Sequence, residues 1–224
     1  EAIREFTEFG AGFRIAMRDL EIRGAGNILG PEQHGHLATV GYDMYCKLME
    51  ETLAEVGQGI ARRELETRVD LQVDAFLPGD YVTDEKQRME MYKRIASIVT
   101  EEDRTEVMEE LIDRYGDPPQ AVETLLAVSQ LRSVCNRLGV SRVVGGKTGA
   151  VLRLDERYVP EPALLLQAMT ETDPRLGLSR GTSAALTLKG SFHSDRELLR
   201  DLLQVMKTLS MKLDTLMAET TQAG

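Results

Sequence analysis

Tryptophan is absent from this 224-residue chain, cysteine occurs twice and histidine three times. Those shortages exclude several chemistries at once. Cys46 and Cys135 stand far apart without CxxC spacing, which argues against a disulfide scaffold or zinc ribbon and for a reduced, cytoplasmic chain. His34 and His36 share a glycine-rich stretch with no recognisable third ligand, and His193 is remote in sequence, so no metal site is expected. No apolar run is long enough to be read as a membrane span or a signal-peptide core. Neither a GxSxG nor a Cys/His pattern nominates a nucleophile, and carboxylates are too plentiful to single out an acid–base pair, so no catalytic residue is assigned.

What is present is the composition of a globular protein, 42% hydrophobic and 29% charged, with length enough for one large or two smaller units. The chain starts at Glu1, and EAIREFTEFG reads as the end of a helix with Ile3, Phe6 and Phe9 on one face. A fragment of a longer protein is therefore expected. Residues 1–63 carry 7 basic and 10 acidic side chains, residues 64–139 carry 9 and 17, and residues 140–224 carry 11 and 10. The acidic middle repels DNA and anionic membranes and favours basic protein surfaces, unless it serves only as a solvated face.

The polar and charged stretch GQGIARRELETR, residues 57–68 with two glycines, divides the chain at about residue 60. The first unit, residues 1–60, reads as a helical hairpin turning at Gly10-Ala11-Gly12, a loop over residues 21–38, and a helix with Met44, Leu48, Met49 and Leu53 on one side, stopped at Gly57. The second, residues 61–224, opens with VDLQVDAFLP, whose alternation predicts a half-buried strand over 69–77. Thr83 is the expected cap of a helix through MEMYKRIASIV. Thr100 with Asp103 resembles a capping box opening a helix to Tyr115 and Gly116. Asp117 is expected to cap a third helix, with Pro118 at its first position and Gly139 as its stop. VSRVV and AVLRLD then flank GGKTG, a helix follows Pro160, RLGLS and AALTLKG form a second hairpin, and SDRELLRDLLQVMKTLSMKLDTLM closes the chain as a long helix. The plan is α+β: helices packed with short, mainly antiparallel strands.

Two glycine-rich stretches imitate phosphate sites. GGKTG lacks the first glycine of a P-loop, since Ser141 stands at that position, and a strand rather than a helix follows, which is hairpin chemistry. Gly24, Gly26 and Gly30 have GxGxxxG rather than GxGxxG spacing; a charged helical stretch precedes them and Pro31 follows, so a dinucleotide fingerprint is not expected.

With its flanks, GAGFRIAMRDLEIRGAGNILGPEQHGHLATVGYDMY resembles the translocation motif shared by RecG and the transcription-repair coupling factors. DAFLPGDYVTDEKQRMEMYKRIAS and EELIDRYGDPP resemble the C-terminal domain found only in the latter family. The resemblance covers about residues 1–155; beyond that it is one of element order. It implies that paired RecA-like motor domains elsewhere in the chain hydrolyse ATP with Mg and drive stepping along double-stranded DNA. Arg23 and Gln33 would then be the motif's coupling residues. Gly24, Gly26 and Gly30 would let the loop approach another backbone and change dihedrals. Arg14 and Arg18, a turn apart, would contact the motor or DNA phosphates, or form a salt-bridged surface.

For the C-terminal domain the resemblance implies a clamp that masks the chain's UvrA-binding domain until RNA polymerase is engaged. Glu106, Glu109, Glu110 and Asp113 recur at three- and four-residue steps, a carboxylate stripe suited to a basic partner surface; Glu110 and Asp113 are the foremost interface residues. No ATPase activity and no cofactor are expected of this fragment itself. Two other readings are compatible with the sequence: a stand-alone acidic interaction module, and a nucleotide-binding enzyme using GGKTG.

Overall fold

The computed structural model describes residues 65, 67–158, 160–180 and 184–222. The helical hairpin, loop and helix expected over residues 1–60 lie outside that set. Within it, β1 (Arg68–Asp70) leads through an extended arm to α1 (Glu85–Ala96), α2 (Glu101–Tyr115) and α3 (Gln120–Arg137). The hairpin β2 (Val140–Gly146) and β3 (Gly149–Leu154) follows, then α4 (Pro162–Thr172), β4 (Leu176–Arg180), β5 (Ala184–Lys189) and α5 (Asp195–Gln222). The α+β expectation holds.

One five-stranded sheet has the order β1-β2-β3-β5-β4, with β1 parallel to β2 and every other pair antiparallel. The two hairpins join through β3 and β5 into one continuous sheet. Strand periodicity fixes which face is covered. Val69, Val143, Leu152, Leu186 and Leu188 are buried beneath α3, α4 and α5, while Val144 and Val151 on the other face are exposed. Leu125, Leu126 and Leu131 of α3 and Leu198, Leu202 and Leu209 of α5 complete the core; each such burial contributes about 1.5–3 kcal/mol. Helices α1 and α2 pack on α3 as an outer pair.

Several local expectations hold for the reasons given by sequence. Thr100 Oγ1 accepts from the Asp103 N–H at 3.1 Å, and Asp103 returns the contact by accepting from the Thr100 N–H at 2.8 Å, a complete capping box. Gly139, one residue beyond the Leu138 cap of α3, has φ 75°, the left-handed geometry that ends a helix. GGKTG is a hairpin end: Gly146 pairs with Gly149 around Lys147-Thr148, and a strand follows. That removes the P-loop geometry, because no helix N-terminus is there to meet a phosphate.

Three expectations are corrected. The strand predicted over 69–77 pairs only through Asp70. Leu71, Val73, Ala75 and Leu77 are buried in alternation as expected, but the Val73 N–H bonds the Leu71 carbonyl at 3.0 Å, a tight turn that takes the backbone out of the ladder. The Gln72 N–H instead donates to Asp195 Oδ2 at the start of α5, at 2.7 Å. Asp84, not Thr83, caps α1, its carboxylate accepting from the Gln87 N–H at 2.9 Å. Helix α3 begins after Pro119 without a side-chain cap, because Pro118 precedes another proline and is pushed to an extended conformation; neither Asp117 nor Pro118 has its expected role.

Candidate interdomain interface

The acidic helix α2 is fixed from three sides. Its inner face buries Val107 and Leu111. At its start, Glu101 accepts from Lys207 Nζ of α5 at 2.5 Å and from Gln130 of α3, and the Lys207 bond holds the Glu101 carboxyl below the usual carboxylate range. At its end, the Tyr81 hydroxyl donates to the Gly116 carbonyl at 2.9 Å. Tyr81 also meets the Tyr115 ring edge-on, centroids 5.8 Å apart. The helix therefore presents its outer side chains from a rigid base.

Those outer side chains are Glu102, Glu106, Glu109 and Asp113, all exposed. At about 100° per residue they fall within one narrow stripe. Glu110 sits on the stripe's flank and is already engaged: its carboxylate takes Arg94 Nε of α1 at 2.9 Å and Arg114 NH1 at 2.7 Å, and it is only 25% exposed. The bond to Glu110 also raises the Arg114 pKa, and the Arg114 guanidinium lies 5.1 Å from the Tyr115 ring centroid. The four sequence-nominated carboxylates thus share a helix but not a state. Glu106, Glu109 and Asp113 are open to a partner, whereas Glu110 orients Arg94 and Arg114 at the edge of the stripe.

Sequence reasoning missed four contributors: Glu102, Arg114, Arg94 and Ile112. Glu102 extends the stripe by the same three- and four-residue spacing and was open to discovery. The Glu110–Arg114 spacing of four residues signalled an ion pair; Arg94 arrives from another helix and left no local signal. Ile112, 45% exposed beside Glu109 and Asp113, adds an apolar contact that a purely electrostatic stripe would lack. Arg14, Arg18, Arg23, Gly24, Gly26, Gly30 and Gln33 lie outside the described residues.

A shallow cleft runs beside α5. Arg175, Arg200, Asp201 and Lys207 line it. Arg175 is held by Asp173 and Asp201 at 2.8 and 2.9 Å and Lys207 by Glu101, so most of its charge is spent on holding elements together. Among the described residues no cluster of three His, Cys, Asp or Glu side chains is arranged to hold a metal ion, and no helix is long and apolar enough to cross a membrane.

The molecule is thus a two-layer α+β domain of two hairpin–helix units, with an outer helix pair that displays a one-signed face. Residues 71–164 match the TRCF domain family model. A solved structure described as the C-terminal domain of transcription-repair coupling factor aligns with 69% of this chain and 98% of its own, with TM-score 0.60 at 25% identity. The transcription-repair-coupling factor of Bacillus subtilis is 41% identical over 162 residues, which are 72% of this chain and 14% of that protein. That of Escherichia coli is 39% identical over 171 residues, 74% of this chain and 15% of its own length. The chain belongs to the transcription-repair coupling factor family and spans about one seventh of these relatives.

Proposed function

We propose that this chain is part of an ATP-dependent double-stranded DNA translocase that removes stalled RNA polymerase and recruits nucleotide excision repair, and that residues 61–224 are its regulatory clamp. The observation carrying the proposal is the rigid, exposed carboxylate stripe of α2 on a domain with the fold of the family's C-terminal domain. The stripe docks on a basic surface of the UvrA-binding domain and masks it. Glu109 and Asp113 contribute opposite charge, Ile112 contributes an apolar contact, and Glu110 keeps Arg94 and Arg114 directed at the rim. Fixing α2 through Glu101, Tyr81 and Leu111 lowers the conformational cost of docking, which is how preorganised surfaces gain affinity.

Residues 1–60 carry the coupling step in this proposal. Arg23 offers a planar fork able to hold a carbonyl, carboxylate or phosphate, and Gln33 offers both a donor and an acceptor to a loop that exchanges partners. ATP and Mg belong to the RecA-like motor domains, not to this segment. The clamp is tested in the full-length motor by Glu109→Lys with Asp113→Lys. A gain of about tenfold or more in UvrA binding without RNA polymerase is expected, since reversing close interfacial charges costs several kcal/mol and each 1.4 kcal/mol is about tenfold. UvrA binding unchanged by the double reversal would overturn the clamp.

A further inference from the structure

The face of the sheet that none of the described helices covers carries a row of arginines. Strand register sets Arg68 of β1 opposite Arg142 of β2, and Arg142 opposite Arg153 of β3. All three side chains are exposed. Neighbouring strands lie about 4.8 Å apart, so the three stems leave the sheet side by side. Like charges placed directly opposite one another destabilise a sheet. A single carboxylate relieves the row: Asp70 takes Arg142 Nε at 2.5 Å. Among the described residues no acidic side chain pairs with Arg68 or Arg153.

The adjoining row on the same face has a different chemistry. It runs from Asp70 through Val144, Val151 and Thr187 to Gly177. Val144 and Val151 are 40% and 44% exposed. Ala185 and Ser179 continue the arginine row on β5 and β4, so the far half of the face is built of small residues. An unbalanced basic row therefore borders an exposed apolar pair, Val144 and Val151.

We propose that this open face is a second docking surface, which receives an amphipathic protein helix whose apolar stripe covers Val144 and Val151 and whose edge carboxylates pair with Arg68, Arg142 and Arg153. Carboxylates spaced by three or four residues on a helix recur about every 5–6 Å along its axis, within reach of long arginines rooted on adjacent strands. A nucleic-acid backbone would match the charge but leave both valines uncovered, and the row pattern places no aromatic ring on this face to stack a base. The acidic stripe of α2 belongs to the helical layer on the other side of the sheet, so the two surfaces can be occupied together and by partners of opposite charge.

The test uses the whole 224-residue chain and a fluorescein-labelled helical peptide of Ala, Leu and Glu, with glutamates along one edge of its leucine stripe, followed by anisotropy at low salt. Arg142→Glu with Arg153→Glu is expected to weaken binding about tenfold or more, as is replacement of the peptide's glutamates by glutamine. Val144→Ser with Val151→Ser is expected to weaken it about threefold, through lost apolar burial. Arg68→Gln, on the edge strand, gives a milder variant should the double reversal disturb the sheet, which a thermal melt reports. Parent protein that ignores the peptide, or binds it as well after both double substitutions, overturns the proposal. Short duplex DNA bound in an arginine-dependent but valine-independent way would give the face to nucleic acid instead. Self-association in sedimentation, abolished by the arginine reversals, would give it to a second copy; either result overturns the helix assignment.

Discussion

Replacing Gly149 by alanine tests the register that organises the whole sheet. Gly149 has φ +128°, and a Cβ there would sit 1.9 Å from the Leu188 carbonyl oxygen of β5. The side chain cannot turn away from that contact, because Cβ is fixed by the backbone. Strand β5 must retreat, loosening the Gly149–Lys189 end of the ladder, or the hairpin must change its dihedrals. The strained backbone costs about 1–3 kcal/mol and a lost ladder bond about 0.5–1.5 kcal/mol. The expected loss is about 3 kcal/mol, which in a domain of this size lowers Tm by about 6–12 °C. Gly146→Ala is the internal control: it stands across the same hairpin, yet its added Cβ would meet nothing within 4 Å, so its effect should stay within about 0.5 kcal/mol. Thermal melts followed by circular dichroism, with urea titrations, compare the two. Equal melting temperatures for the two variants would refute the hairpin register and with it the removal of GGKTG from the phosphate-binding candidates.

Other substitutions probe the base of the acidic helix. Leu111→Ala, at a fully buried position, should cost about 2–5 kcal/mol and lower the urea midpoint without changing the slope; a loss under about 1 kcal/mol would contradict the packing of α2. Thr100→Ala should cost about 1 kcal/mol through the lost cap, and Thr100→Ser should recover most of it; equal losses for the two would argue against the cap. Glu101 has a folded-state pKa lowered first by its Lys207 bond. Its contribution is therefore present above the ordinary glutamate value of about 4.3 and is lost as pH falls through the lower folded value. The stability gap between parent and Glu101→Gln should close on acidification; a gap that widens would reverse the sign of this account.

Much of the fold was legible because local signals and tertiary packing agree. The Thr100–Asp103 box, the Gly139 stop and the Gly146–Gly149 turn are each set by a few neighbouring residues, and each appears where its chemistry predicts. The alternation of residues 69–77 correctly reported burial, but it could not report pairing. An extended arm pressed against a core has the same period as a strand, and only the Val73–Leu71 turn and the Asp195 contact with Gln72 separate the two. The cap of α1 slipped by one residue because Thr83 and Asp84 are both competent caps. In the candidate interface, periodicity found the stripe but not its division. Glu110 differs from Glu109 through Arg114, one turn further along the helix, and through Arg94, which reaches it from α1, a long-range contact without a sequence signature. The arginine row was invisible for the same reason: Arg68, Arg142 and Arg153 become neighbours only through strand register.

The proposed clamp rests on one contact, that of α2 with the UvrA-binding domain of the longer protein. Calorimetric titration of this chain into a motor protein lacking it, with parent and with Glu109→Lys plus Asp113→Lys, measures that contact directly. Saturable binding by the parent is expected, weakened about tenfold or more by the charge reversals and weakened also by salt. Equal affinity for parent and variant would contradict the clamp.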